Sequence, residues 1–259
     1  MAMAELTDGN FVLGLGTAPP AWNEAWHGLN VDRPVRRMRE YVGAIRAMWT
    51  ARPGEPVDHA GELVDVRGYM RFMPAPFPSV PIYLAAVGPQ MLRLAGEIGD
   101  GLLGNVLNTP AYFRDVVGPN LAAGRARSSD PDRPFEVATL KVCSVHADRS
   151  RALDQARATV AFYASLPYFD VVLDPAGFAD EKRRVRAALA DGDLAAAAAA
   201  VSDEMVCAVA LAGTPDDVRR QLAAFDGLVD LVVLRCVTAG LDPETIARAH
   251  ADMIDAFAA

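Results

Sequence analysis

Apolar runs alternating with amphipathic helical patterns predict an α/β protein on a parallel sheet, and the lack of any phosphate-binding glycine loop directs that prediction toward a TIM (β/α)8 barrel. Parallel strands are buried on both faces and read as near-continuous Val/Ile/Leu runs, with a helix as the usual crossover between them. No G-x-G-x-x-G follows a strand and no Walker sequence occurs, which leaves a dinucleotide fold or a P-loop unsupported. Strand–helix units begin at Phe11, Ile82, Gly101, Phe135 and Val229. The 259 residues can bury one sizeable core, so residues 1–259 read as one domain.

In chain order, Phe11 to Gly16 is a short apolar run closed by glycines, followed by a loop from Thr17 to Asp32. A helix from about Arg33 to Trp49 follows, with Val35, Met38, Val42, Ile45 and Trp49 on one face and Pro34 in its first turn. Residues 51–81 carry Pro53, Gly54, Pro56, Gly61, Gly68, Pro74, Pro76, Pro78 and Pro81. That punctuation reads as an excursion, with a hairpin over Gly61–Gly68 and a proline-stiffened return. Strand Ile82–Ala86, helix Pro89–Ile98, strand Gly101–Asn105 and a helix from Pro110 to about Gly124 come next. Strand Phe135–His146 precedes a helical insertion over 149–204, within which Ala195–Ala200 is helix-favouring filler. Met205–Ala212 fits either helix or strand, and Thr214 is set to cap the helix after Gly213. Strand Val229–Arg235 and a helix from Pro243 to the end complete the pattern.

Hydrophobic residues make up 52% and charged residues 22%, a globular composition, and a net charge of −8 argues against nucleic-acid or anionic-membrane partners. No apolar stretch reaches the roughly 18 residues needed to span a bilayer. The start lacks the basic and apolar regions of a signal peptide, so the expected compartment is the cytoplasm. Cys143, Cys207 and Cys236 are far apart and sit in apolar runs, as buried small residues do; no metal site is expected.

The chemistry concentrates in Leu84-Ala-Ala-Val-Gly-Pro-Gln-Met-Leu-Arg-Leu-Ala-Gly-Glu-Ile-Gly-Asp-Gly101. A strand ends in small residues, turns at Gly88 and enters a helix at Pro89, which presents free N–H groups and the positive helix end to an anion. The carboxyl end of a strand is also where barrels carry their active sites. This string resembles the signature of luciferase-like proteins. It is most similar to the branch using the deazaflavin coenzyme F420, which includes methylenetetrahydromethanopterin reductases and mycobacterial-type oxidoreductases. The resemblance implies that Ala86, Val87, Gly88, Pro89, Gln90 and Met91 surround the coenzyme phosphate. Val12-Leu-Gly-Leu-Gly-Thr17 with Trp22-Asn-Glu24 resembles the family's fourth strand, which implies that Gly16, Thr17 and Asn23 lie at the coenzyme, Asn23 touching the deazaflavin. Here Ala18 stands where the family has glycine, and Pro19-Pro20 where the glucose-6-phosphate enzyme has its catalytic Glu, so a sugar phosphate is not expected. Gly213-Thr-Pro-Asp-Asp-Val matches a further family segment near the C-terminus.

The resemblance therefore implies a TIM barrel of luciferase-like type that is incomplete, with strands 4–8 recognisable. A truncated start, pairing with a second copy as a homodimer, or a replacement strand within Met205–Ala212 would each account for this. The expected activity is hydride transfer between F420 and a small organic substrate. The alternatives are an FMN-dependent monooxygenase of the same fold and a non-catalytic partner subunit. His27, in the loop after the first strand, is the candidate general acid or base. His59, His146 and His250 read as solvated or structural. Lys141 and Arg235 lie on strands, where pairing with an internal carboxylate such as Asp230 is favoured over ligand binding.

Overall fold

The computed structural model describes residues 2–74 and 80–258, which gather into two compact units: one to Leu103 plus Asn120–Phe135, the other Gly104–Pro119 plus Glu136 onward. The proline-stiffened return expected at Pro76 and Pro78 lies outside the described residues.

In the first unit α1 (Ala2–Leu6) leads to β1 (Leu13–Leu15), α2 (Pro20–His27) and α3 (Pro34–Thr50). The hairpin β2 (Pro56–His59) and β3 (Val66–Met70) follows, then β4 (Ile82–Ala85), α4 (Pro89–Ile98) and β5 (Gly101–Gly104). β4 is central, with β1 parallel on one side (Leu13↔Ile82, Leu15↔Leu84) and β5 parallel on the other (Tyr83↔Gly101, Ala85↔Leu103). Ile82 and Leu84 are fully buried, and α3 covers the unit with Met38, Val42 and Ala44.

Two expectations are corrected here. The span read as loop contains α2: Pro20 occupies the first helical turn, where its missing N–H costs nothing. Ala21, Trp22, Ala25 and Trp26 do recur at helical spacing, but over a single repeat between proline and glycine, too short to read as a helix, and none of them is buried. The hairpin is wider than Gly61–Gly68: β2 precedes that span and β3 begins within it, at Val66. Glu40 of α3 accepts from Leu63 N at 2.7 Å and Val64 N at 2.9 Å, turning the chain there, and these bonds hold its carboxyl down at about 2.

The second unit opens with α5 (Pro110–Tyr112), one π turn (Phe113–Val117) and α6 (Gly118–Arg125), whose later residues belong to the first unit. Pro119 has no N–H to give and would clash in a regular helix, and the widened turn before it accommodates the ring. Then come β6 (Glu136–Val145), α7 (Arg149–Ala164), a 3-10 turn (Pro167–Phe169), α8 (Asp170–Leu173), α9 (Ala179–Ala190), α10 (Leu194–Ala199) and α11 (Asp203–Val209). β7 (Leu211–Gly213), α12 (Pro215–Ala223), β8 (Leu231–Cys236) and α13 (Pro243–Phe257) complete it. β6 pairs in parallel with β7 (Cys143↔Leu211, Val145↔Gly213) and with β8 (Ala138↔Leu231, Cys143↔Cys236). The ambiguous Met205–Ala212 resolves into both states, helix to Val209 and strand from Leu211. Thr214 caps α12 as read, in a reciprocal box with Asp217.

Candidate active site at the carboxyl ends of β1 and β4

β4 ends at Ala85, Ala86 is buried, and Val87 and Gly88 are half-buried before α4 begins at Pro89. The first helical bond is Leu92 N to Gly88 O at 3.0 Å, so the Gln90 and Met91 amides precede the hydrogen-bonded ladder. No side chain caps them: the N-cap is Gly88 itself. Gly88 has φ −76°, which any residue adopts, and a Cβ built on it meets nothing within 4 Å. Neither backbone conformation nor packing requires glycine at this position. A glycine here leaves the backbone open to close approach, and an uncapped helix N-terminus suits an anion.

Gly16 stands beside this turn. A Cβ there would come within 3.1 Å of Ala85 Cβ, so the ends of β1 and β4 are in close contact. Thr17 is half-buried, and its carbonyl accepts a 2.8 Å bond from Asn23 Nδ2 on α2. Gly16, Thr17 and residues 86–91 are thus brought to neighbouring strand ends, with Asn23 tied to the same loop. Ala18 has φ 51°, the left-handed conformation in which the family pattern carries glycine. His27 is exposed at the last residue of α2 and enters no hydrogen bond or ion pair among the described residues. Trp22 and Trp26 stack on that helix at 4.7 Å.

Next to Gln90 a groove of about 620 Å³ is lined by Arg33, Arg36, Arg39 and Glu40 of α3 and its N-cap. Its arginines are internally compensated: Arg39 forks onto Glu97 at 2.7 and 2.8 Å, and Arg33 and Arg36 pair with Glu62. The acidic end of the 84–101 string is structural. Asp100 accepts from Ile82 N at 2.9 Å and binds Arg46 at 3.0 Å, fixing the start of β4 against α3. The other histidines are local: His146 Nδ1 accepts from Asp148 N, and His250 lies against Ile246 O on α13. Among the described residues no group of three or more His, Cys, Asp or Glu side chains could hold a metal ion, and no helix is long and apolar enough to cross a membrane.

In the second unit the expected carboxylate pairing of Lys141 and Arg235 does not occur. Lys141 Nζ donates to the carbonyls of Asn108 and Val209 at 2.7 and 2.5 Å, 5.1 Å from the centre of the Phe225 ring. Burial alone pushes its ammonium down to about 7. Asp230 instead accepts from Val137 N at 2.8 Å, registering the start of β6. Arg235 lies 5.4 Å from the centre of the Tyr163 ring and meets no acidic side chain among the described residues. Tyr163 and Tyr168, from the helical insertion, were not singled out by the sequence; two tyrosines flanking Pro167 in an alanine-rich stretch were their only signal.

The family model of the luciferase-like monooxygenases matches residues 1–231. A 5,10-methylenetetrahydromethanopterin reductase of Archaeoglobus fulgidus is 35% identical over 221 residues, covering 83% of this chain and 63% of that protein. The reductase of the same name from Methanolobus tindarius is 33% identical over 243 residues, covering 91% of this chain and 69% of that protein. Among solved structures, the coenzyme F420-dependent tetrahydromethanopterin reductase of Methanopyrus kandleri superposes with a TM-score of 0.76 at 25% identity, over 93% of this chain and 72% of that one. The chain therefore spans about two thirds of the length of these relatives. With α/β units of parallel strands and the signature turn at its expected place on β4, the chain belongs to the luciferase-like monooxygenase family.

Proposed function

We propose that the chain works as an F420-dependent oxidoreductase, passing hydride between the deazaflavin and a small organic substrate. The observation that carries this reading is the uncapped start of α4 beneath an open Gly88, in a chain similar to reductases that are F420-dependent by name. The amides of Gln90 and Met91 would hold the coenzyme phosphate, with Ala86, Val87 and Pro89 walling the turn. Gly16 and Thr17 would let the coenzyme lie against the backbone at the end of β1. Asn23, held by its bond to the Thr17 carbonyl, would present its carboxamide oxygen to the ring. Bound there, the deazaflavin would supply the two-electron chemistry, and the chain's own residues would orient it and exclude water.

His27 is the reading's proton donor or acceptor. Replacement by Gln is expected to lower kcat by about 10²-fold or more while leaving F420 affinity unchanged. An unchanged kcat removes His27 from the mechanism. The reading extends to a homodimer in the cytoplasm, since β1 and β8 each present an edge that no described strand covers.

Parallel fluorescence titrations with F420 and with FMN test the assignment. Saturable F420 binding with no comparable FMN binding is expected. The reverse preference would favour the monooxygenase chemistry of the family's name, and a folded sample that binds neither would leave a non-catalytic role.

A further inference from the structure

At the carboxyl end of β8, within the second unit, several hydrogen-bond donors gather. Arg235 is the penultimate residue of β8, half-buried, with its guanidinium over the Tyr163 ring. Tyr163 lies in the last turn of α7, and Tyr168 sits in the following 3-10 turn, both half-buried. The Phe169 ring braces both, its centre 6.0 Å from that of Tyr163 and 4.4 Å from that of Tyr168. Asn105, just past β5, accepts from Val106 N at its Oδ1 (2.7 Å) and donates from its amide nitrogen to the Tyr168 hydroxyl. That leaves the Tyr168 proton pointing away from Asn105. Burial and the neighbouring Tyr163 push the Tyr168 phenol up to about 12, so its proton stays on. Among the described residues Arg235 has no carboxylate partner, although the chain carries more Asp and Glu (33) than Lys and Arg (25).

A guanidinium without a carboxylate partner among the described residues, over the ring of one tyrosine that shares the Phe169 brace with a second, is a donor set for an anion. Arg186 also reaches this stretch, at the carbonyls of Ala164 and Ser165, but Asp170 neutralises it. Arg235 is then the one cation of the set without a carboxylate partner among the described residues, which suits a monoanionic carboxylate better than a phosphate dianion. Its place at strand ends is where barrel folds bind what they act on.

We propose that Arg235, Tyr163 and Tyr168, backed by Asn105, form a carboxylate-recognition subsite that takes an acid group of the organic substrate. That the acid group belongs to a substrate rests on the oxidoreductase reading; the carboxylate site itself does not, and its test needs no coenzyme. Amide NMR spectra of the whole chain, titrated with benzoate and separately with benzamide, read it directly. Benzoate is expected to shift the amides of Val142, Cys143, Tyr168, Arg235 and Cys236 saturably, with benzamide about tenfold weaker or worse. Arg235→Gln is expected to lower benzoate affinity about tenfold or more, and Arg235→Lys, which keeps the charge but loses the fork, by less. Tyr168→Phe, which removes one donor, should also weaken benzoate, and it keeps the proposal testable if the Arg235 variants fail to fold. Equal binding of benzoate and benzamide, no response to either, or unchanged benzoate affinity in folded Arg235→Gln and Tyr168→Phe would each overturn the proposal. So would tighter binding of inorganic phosphate than of benzoate. F420 titration of the same variants separates the two readings: lost benzoate affinity with retained F420 binding is expected, and lost F420 binding with intact benzoate affinity would overturn the separate assignment of this site.

Discussion

Lys141 is fully buried on β6, and its partners among the described residues are two backbone carbonyls and an aromatic ring. Its folded-state pKa of about 7 lies below the ordinary 10.5. Between those values the unfolded chain binds the extra proton, so stability rises with pH across that window. Unfolding measured at several pH values should show the wild type gaining on Lys141→Met from about pH 7 to pH 10, by at most about 1.4 kcal/mol per pH unit. A constant difference would show that Lys141 keeps its charge when folded. Ala18, held at φ 51°, gives a second test at this scale: Ala18→Gly should raise stability by about 1 kcal/mol in thermal melts, and a loss would contradict the strain assigned there. The sequence made Lys141 legible as a buried cation, because a lysine stands in an apolar strand. Its partners were not legible, since carbonyls at the end of α11 and after β5 leave no mark in residue type. Asp230, the expected partner, is used by the Val137 amide instead.

The helices α4 and α6 meet backbone to backbone. A Cβ on Gly96 would strike the Leu121 carbonyl, and one on Gly124 would strike the Arg93 carbonyl, all within the first unit. Neither obstacle can swing aside as a side chain would. Gly124→Ala should therefore cost about 1–3 kcal/mol in denaturant unfolding, despite alanine's better helix propensity. Gly118→Ala is the control. Its Cβ would lie 3.4 Å from Phe113 O, an ordinary contact, and propensity should make it neutral or stabilising by up to about 1 kcal/mol. Equal costs at both sites would refute the packing argument. At this scale long periodic elements were readable: α3, α4 and α13 lie close to where spacing and capping put them. α2 was not, because Ala21, Trp22, Ala25 and Trp26 give a single helical repeat between Pro20 and Gly28, too short to stand out from a loop. The π turn was not, because the Pro119 that demands it sits inside an otherwise helical pattern.

For the whole molecule, alternating strands and helices correctly implied parallel pairing, which β1–β4–β5 and β7–β6–β8 both display. The turn from β4 into α4 was legible too, since a strand, a small turn and a proline-opened helix are all local features of 84–91. The carboxylate subsite was not, because its residues come from four places in the chain (Asn105, Tyr163, Tyr168 and Arg235) that only the fold assembles. The central claim is that an anionic coenzyme sits on the open start of α4. Gly88→Asp isolates it, because the new side chain has room, adds charge at the proposed phosphate position and can cap the amides of its own helix. The measurement is F420 affinity by fluorescence titration, with thermal unfolding of the same sample. The account predicts affinity lowered at least about tenfold with stability unchanged or raised by a few tenths of a kcal/mol; F420 binding as tight as in the wild type would contradict it.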